Sequence, residues 1–241
     1  MKVFRYILCP HDFFFYVSRE LVEGVPSEII SNTALLYAFN THSQIHRNAS
    51  GNVPHYEEDA KRFTLYSTPA ELLNEDKVVI GDRILETNVS RELVRITYNS
   101  VHTVTQSVDV GKVRVKVCFP MMGQYLKYRP LVPFQGFLIG GRSSSLIRLG
   151  KKLVPVRVHY EELENVRVRE GKFTPSHPVN VNDLPPETNL VRGKIQVIPP
   201  TPIYTECVLD GKYIEGECSH RRYKIALPNE NKYPEVELDG S

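Results

Sequence analysis

The sequence predicts an α+β fold with many strands, one main helix and a β-rich C-terminal half. Runs of β-branched and aromatic residues recur along the 241 residues, while only residues 27–40 carry convincing helical spacing. A third observation is local. In Lys112-Val113-Arg114-Val115-Lys116-Val117 apolar and basic residues alternate strictly, so the valines face a core and every outward residue is a cation.

Taken in order, residues 3–8 read as a first strand, and the aromatic run 11–16 follows a turn at Pro10. In the helical segment Ser27 is placed to cap, and Glu28 sits in the favourable first turn. Ile29, Ile30, Thr33, Ala34, Leu36 and Tyr37 share a face, and Asn40 is the stop. Residues 43–62 read as a polar loop. Residues 63–66 and 77–80 are short strands, and 70–73 a helical turn. Residues 93–108 read as a strand or an extended hairpin arm. Further strands are expected at 153–160, 166–169, 194–198, 204–209 and 223–227, with a loop over 173–189 and a fraying polar tail. Pro199, Pro200 and Pro202 are expected to exclude central-sheet pairing around them. The whole reads as a single domain, 1–241, whose C-terminal part begins near 153.

Composition narrows the class. A hydrophobic content of 41% supplies a real core. The four cysteines are scattered without a CxxC, which fits a reducing, cytoplasmic setting better than a disulfide framework. No signal peptide is read at the N-terminus, and no run approaches the ~20 apolar residues of a membrane helix. Charge is the informative quantity. Residues 110–160 hold ten of the thirty Lys and Arg and no Asp or Glu, leaving twenty cations against twenty-eight acids elsewhere. A formal charge of +2 therefore conceals a polarised molecule, and a long acid-free basic run points to a polyanion, with nucleic acid the default.

Within that run, residues 136–152 (GFLIGGRSSSLIRLGKK) read as a strand entering a glycine-permitted turn. Gly140 and Gly141 can take positive φ, and successive N–H groups in such turns form anion sites. Ser143, Ser144 and Ser145 add hydroxyls; Arg142, Arg148, Lys151 and Lys152 add charge. Upstream, Tyr125, Lys127, Tyr128 and Arg129 interleave rings with cations, which suits base stacking beside phosphate contacts.

Other chemistry is poorly represented. Gly150-Lys151 lacks the upstream glycine and the Ser or Thr of a P-loop. Gly140-Gly141 lacks the third glycine of a dinucleotide fingerprint, and there is no Gly-x-Ser-x-Gly. His42 and His46, with His55, have loose metal-ligand spacing, as do Cys207, Cys218 and His220; incidental placement is the plainer reading, and no metal or cofactor is expected. Tyr98, His102 and Lys112 would supply the acid, base and cation of metal-free RNA cleavage. The plainer alternative makes Tyr98 and His102 ordinary strand-arm residues, with His102 stacking on RNA or hydrogen-bonding to it.

Three pieces carry a family resemblance: residues 32–38 (NTALLYA) after the opening strand; Tyr128-Arg129-Pro130 leading to Pro133-Phe134-Gln135-Gly136; and Gly140-Gly141 continuing to Ile147-Arg148-Leu149-Gly150-Lys151-Lys152. In them the chain resembles the Cas-five-like (Csc-one) subunit of the type I-D CRISPR Cascade complex, in the RAMP superfamily. The resemblance implies a ferredoxin-like, RNA-recognition-type antiparallel sheet with a β-hairpin thumb, placed at about 93–117. It implies a subunit of an antiviral ribonucleoprotein that holds the 5′ handle of the guide crRNA and touches the backbone and large subunits. Contact with target DNA near the PAM is left open. Arg142, Arg148, Lys151 and Lys152 would meet handle phosphates beside Gly140, Gly141, Ser143 and Ser144. Lys112, Arg114, Lys116, Lys127 and Arg129 would extend the track, with Tyr98, His102, Tyr125 and Tyr128 as stacking positions. Some type I-C relatives cut precursor RNA, but their active-site pattern does not map here, and the expectation is a non-catalytic subunit. A processing endoribonuclease and a protein-only scaffold are the alternatives.

Overall fold

Nearly every side chain of residues 3–10 is apolar, so this strand suits the middle of a sheet, and Val3–Pro10 (β1) is buried at all eight positions. The computed structural model describes residues 1–16, 25–41, 55–75, 77–87, 93–110, 113–150, 153–198 and 201–238, with 97–110 and 113–124 as backbone. After β1 come Ile29–Ile30 (β2), Asn32–Phe39 (α1), Tyr56–Ala60 (α2), Tyr66–Ser67 (β3), Ala70–Leu72 (β4), and the hairpin Lys77–Ile80 (β5) and Arg83–Glu86 (β6). Val94–Val110 (β7) and Val113–Lys127 (β8) form a long second hairpin. Phe134–Ile139 (β9), Leu146–Leu149 (β10) and Val154–Glu162 (β11) complete the first half. The second half holds Glu164–Phe173 (β12), Val179–Asn180 (β13), Asn189–Ile198 (β14), Thr201–Cys218 (β15) and Arg221–Ala226 (β16).

These strands build two main sheets. The first runs β10-β11-β1-β9-β4-β2, with β3 also on β9. In the second, β15 pairs with β12, β13, β14 and β16. The molecule is α+β and mostly strand, as the runs and alternation in its sequence predict.

Register assigns the faces of the first sheet. Tyr6 stands opposite Tyr160 and Gly136, and Leu8 opposite Val158 and Phe134. With Val154 and Val156 these residues form one core, closed by Leu35 and Phe39 of α1. The other face carries Ile7 and Cys9, on which Val78, Ile80 and Leu85 of the β5–β6 hairpin pack. Near the start of β1, Val3, Phe137 and Ile139 join Ile214, Tyr223 and Ile225 of the second sheet in another core.

Several expectations are corrected. The helix begins at Asn32, capped by Ser31, whose Oγ accepts the Thr33 N–H at 3.3 Å. Ser27 is not its cap; its Oγ accepts the Ile29 N–H, and Ile29–Ile30 pair with β4 instead. Residues 70–72 are a strand because Glu71 and Leu72 pair with Gln135 and Phe134, a tertiary demand that overrides local propensity. Asn40 does end the helix: its N–H and Nδ2 donate to Leu36 O, and its Oδ1 accepts from Thr64 and Leu65. Pro202 does pair, with Val197, at the start of β15. On that strand's other flank the first pairs are Ile203 and Tyr204 with β13, so the missing proline N–H breaks no ladder there. The region 173–189 contains β13 and a 3₁₀ turn, Val181–Asp183. The tail does not fray over its described part, since Tyr233, Val236 and Leu238 are buried in the second core.

Candidate nucleic-acid interface

The turn after β9 is built by the chain's own close crossings. Gly140 has φ +102°, and a Cβ there would lie 2.6 Å from Thr64 O, so only glycine lets the strand pass beneath residues 64–65. Its N–H donates to Lys2 O at 3.0 Å. Ser143 Oγ donates to Phe39 O at 2.6 Å, tying the turn to the end of α1. Ser144 Oγ donates to Leu146 O and accepts the Leu146 N–H, while Tyr160 OH donates to Ser144 O. The Ser143 and Ser144 hydroxyl protons therefore hold the turn itself. What the turn presents outward is guanidinium: Arg142 is exposed, with its Cζ 4.9 Å from the centre of the Phe4 ring. Arg148 is exposed on β10 and donates to Leu153 O at 3.1 Å.

The β7–β8 hairpin carries the basic stripe by register. Arg114 stands opposite Asp109, Lys116 opposite Ser107 and Tyr98 opposite Gly123; His102 falls at a break in register between Ser100 and Thr103. The segment 93–117 lies within this hairpin, whose paired strands extend to Lys127. Lys112, Lys151 and Lys152, with His42 and His46, lie outside the described residues. At the hairpin base Tyr125 is half-buried, its ring edge-on to Phe15 at 4.9 Å. Tyr128 is only 3% exposed and packs edge-on against Phe134 in the core, so its ring offers no open face for a base. Lys127 is half-buried and Arg129 exposed.

Tertiary structure adds cations that sequence spacing does not connect. A cleft of about 400 Å³ is lined by Arg83 from β6, Arg142 from the turn, and Arg157, His159 and Tyr160 from β11. Asp82 is the single carboxylate of its lining. Among the described residues none of these three arginines forms an ion pair with a carboxylate. Burial lowers the His159 pKa, and Arg157, Arg83 and His11 lower it further, so all of its surroundings favour the neutral imidazole.

Arg157 and His159 had a legible signal. In Val154-Pro155-Val156-Arg157-Val158-His159 the valines alternate, and Val154, Val156 and Val158 are the buried set. The same register sets Leu146 opposite Arg157 and Arg148 opposite Pro155, so Arg148 shares their face. Arg83 had none, because its hairpin is brought to the site only by packing on β1.

No helix among the described residues is long and apolar enough to cross a membrane. A family model described as type I-D CRISPR-associated protein Cas5/Csc1 matches residues 1–235. No curated protein matches the chain.

Proposed function

Because the chain belongs to the type I-D CRISPR-associated Cas5/Csc1 family, we propose that it is a non-catalytic subunit of the type I-D Cascade complex that binds the 5′ handle of the guide crRNA. One observation carries the RNA-binding part: the acid-free basic run 110–160 supplies the second strand of the long hairpin, the β9–β10 turn and most of β11. A protein that holds a guide by its backbone needs such a phosphate track and leaves sequence reading to base pairing. The first sheet with α1 would serve as the RNA-recognition-type layer and β7–β8 as the thumb. The backbone and large subunits are its expected neighbours, in the cytoplasm.

The test is binding of the full chain to guide RNA between 50 and 200 mM salt, a range over which six to ten phosphate contacts cost about 10³–10⁵ in affinity. The triple alanine variant at Arg142, Arg148 and Lys152 is expected to weaken binding at least about tenfold. Unchanged affinity and salt slope in that variant would remove the turn from the interface. Precursor RNA incubated with the protein in EDTA is expected to stay intact; site-specific products lost on His102→Ala would make the chain a processing enzyme instead.

A further inference from the structure

We propose that the cleft between β6, the 140–145 turn and β11 is a seat for one phosphate group of a polynucleotide, gripped by Arg83, Arg142 and Arg157. The identity of the polynucleotide rests on the guide-RNA reading above; the seat itself rests on geometry. Three guanidinium groups share one concavity with a single carboxylate, Asp82, and none forms an ion pair with an acid among the described residues. Like charges gathered in a concave site focus a positive potential, and an oxyanion relieves their mutual repulsion. Arginine matches phosphate with paired N–H donors in a planar fork, so this is a recognition set and not a diffuse field.

The frame that holds these arginines is rigid. Arg157 and His159 point away from the core because Val156 and Val158, which alternate with them, are buried. Arg142 rests on the Phe4 ring, and its turn is tied to α1 through Ser143. Arg83 follows the hairpin turn Gly81-Asp82, and that turn is clamped to the first sheet. Arg5 Nη1 donates to Val79 O at 2.9 Å, and the Gly81 N–H donates to Glu161 Oε1 at 3.0 Å. Arg5 and Glu161 are themselves paired at 3.2 Å, the guanidinium buried and the carboxylate half-buried. A preformed site loses little entropy on binding.

His159 reports on the seat. It is faced by Arg157, Arg83 and His11, all unfavourable to its protonated form, with Asp82 in the same lining. A phosphate among them reverses the local field, so its arrival draws a proton onto the imidazole.

The full-length chain tests this in two arms. In the first, inorganic phosphate is titrated into isotope-labelled protein while the His159 imidazole is followed by NMR. The expected result is a saturable shift and a rise in the His159 titration midpoint, both lost in Arg157→Gln. A resonance that phosphate does not move overturns the seat. In the second, guide RNA binding is compared across Arg83→Gln, Arg157→Gln and Arg167→Gln, the last on exposed β12 as control. The first two are expected to weaken binding about tenfold each and to lower the salt slope by about one, with the control unchanged. Wild-type affinity and slope in both cleft variants overturn the seat while leaving guide binding intact. Wild-type protein that shifts with phosphate but ignores RNA keeps the seat and defeats the guide reading.

Discussion

One methyl group at residue 136 is enough to test how tightly the first sheet is packed. A Cβ on Gly136 would sit 2.2 Å from Tyr6 Oη, and Tyr6 has no exposed surface to retreat into. Its hydroxyl is also held, within 2.9 Å of Ser67 Oγ and donating to Thr68 O. Gly136→Ala is therefore an overpacking mutation that costs roughly 2 kcal/mol and lowers the thermal midpoint by about 5 °C; an unchanged melt would mean that the Tyr6 ring yields. The Arg5–Glu161 pair is a second residue-scale joint. Besides its hairpin contacts, Arg5 Nε donates to Gln135 Oε1 at 2.8 Å, and Ser219 Oγ donates to Glu161 from the second sheet. Burial alone would raise the Glu161 pKa, but hydrogen bonds from Ser219 and Gly81, with Arg5, hold it below the ordinary value. Glu161→Ala strands a buried guanidinium and is expected to cost about 3 kcal/mol in denaturant unfolding. Loss of less than about 1 kcal/mol would show that the arginine finds water.

Elements differ in how far they depend on the rest of the chain. The β7–β8 hairpin forms a two-stranded sheet of its own, and its base is fixed by the bridge between Phe14 and Tyr128. Replacing residues 97–124 by a tight turn is therefore expected to leave the melting curve nearly unchanged while guide binding falls; a collapse of the melt would show that the hairpin is part of the core. This hairpin was legible because Lys112–Val117 alternates without interruption, and alternation survives translation into a strand in any context. Short elements were not legible. Ile29–Ile30 looks like the start of a helix, and Ala70–Leu72 like a helical turn. Two or three residues carry no period, so pairing partners far along the chain decide their state.

At the scale of the molecule, two sheets are joined through buried polar groups. Asp183 accepts hydrogen bonds from Asn32, Tyr66, Tyr233 and Lys232, connecting α1, β3 and the C-terminal tail. His177 sits at the same junction. Its ring lies 5.8 Å from Phe137 of the first sheet, and its Nε2 accepts the Ala226 N–H of the second at 3.2 Å. Nδ1 therefore carries the proton and donates to Pro178 O at 2.7 Å. Burial lowers the imidazole pKa to about 4 from an ordinary 6.5. Between those values the unfolded chain binds one more proton than the folded one, so stability falls as pH falls through that window, by about 3 kcal/mol in all. His177→Gln is expected to remove most of this slope in urea unfolding between pH 4 and 7; a slope that persists would place the acid sensitivity elsewhere.

Residue order alone carries the strand-rich α+β class, the polarity of the charge and the stretch that holds it, because composition and period two are local properties. It also marks Gly140 as a turn and Asn40 as the end of the helix, though not what packs against them. Folding chose which cations meet. It moved Tyr128 from a surface platform into the core, committed the protons of Ser143 and Ser144 to carbonyls, and buried Tyr233, Val236 and Leu238 of the tail. It also carried Arg83 across a gap of more than seventy residues to face Arg157 and His159. A side chain's type is written at its own position, whereas its neighbours are chosen by strand register and sheet packing, which are set by the chain as a whole.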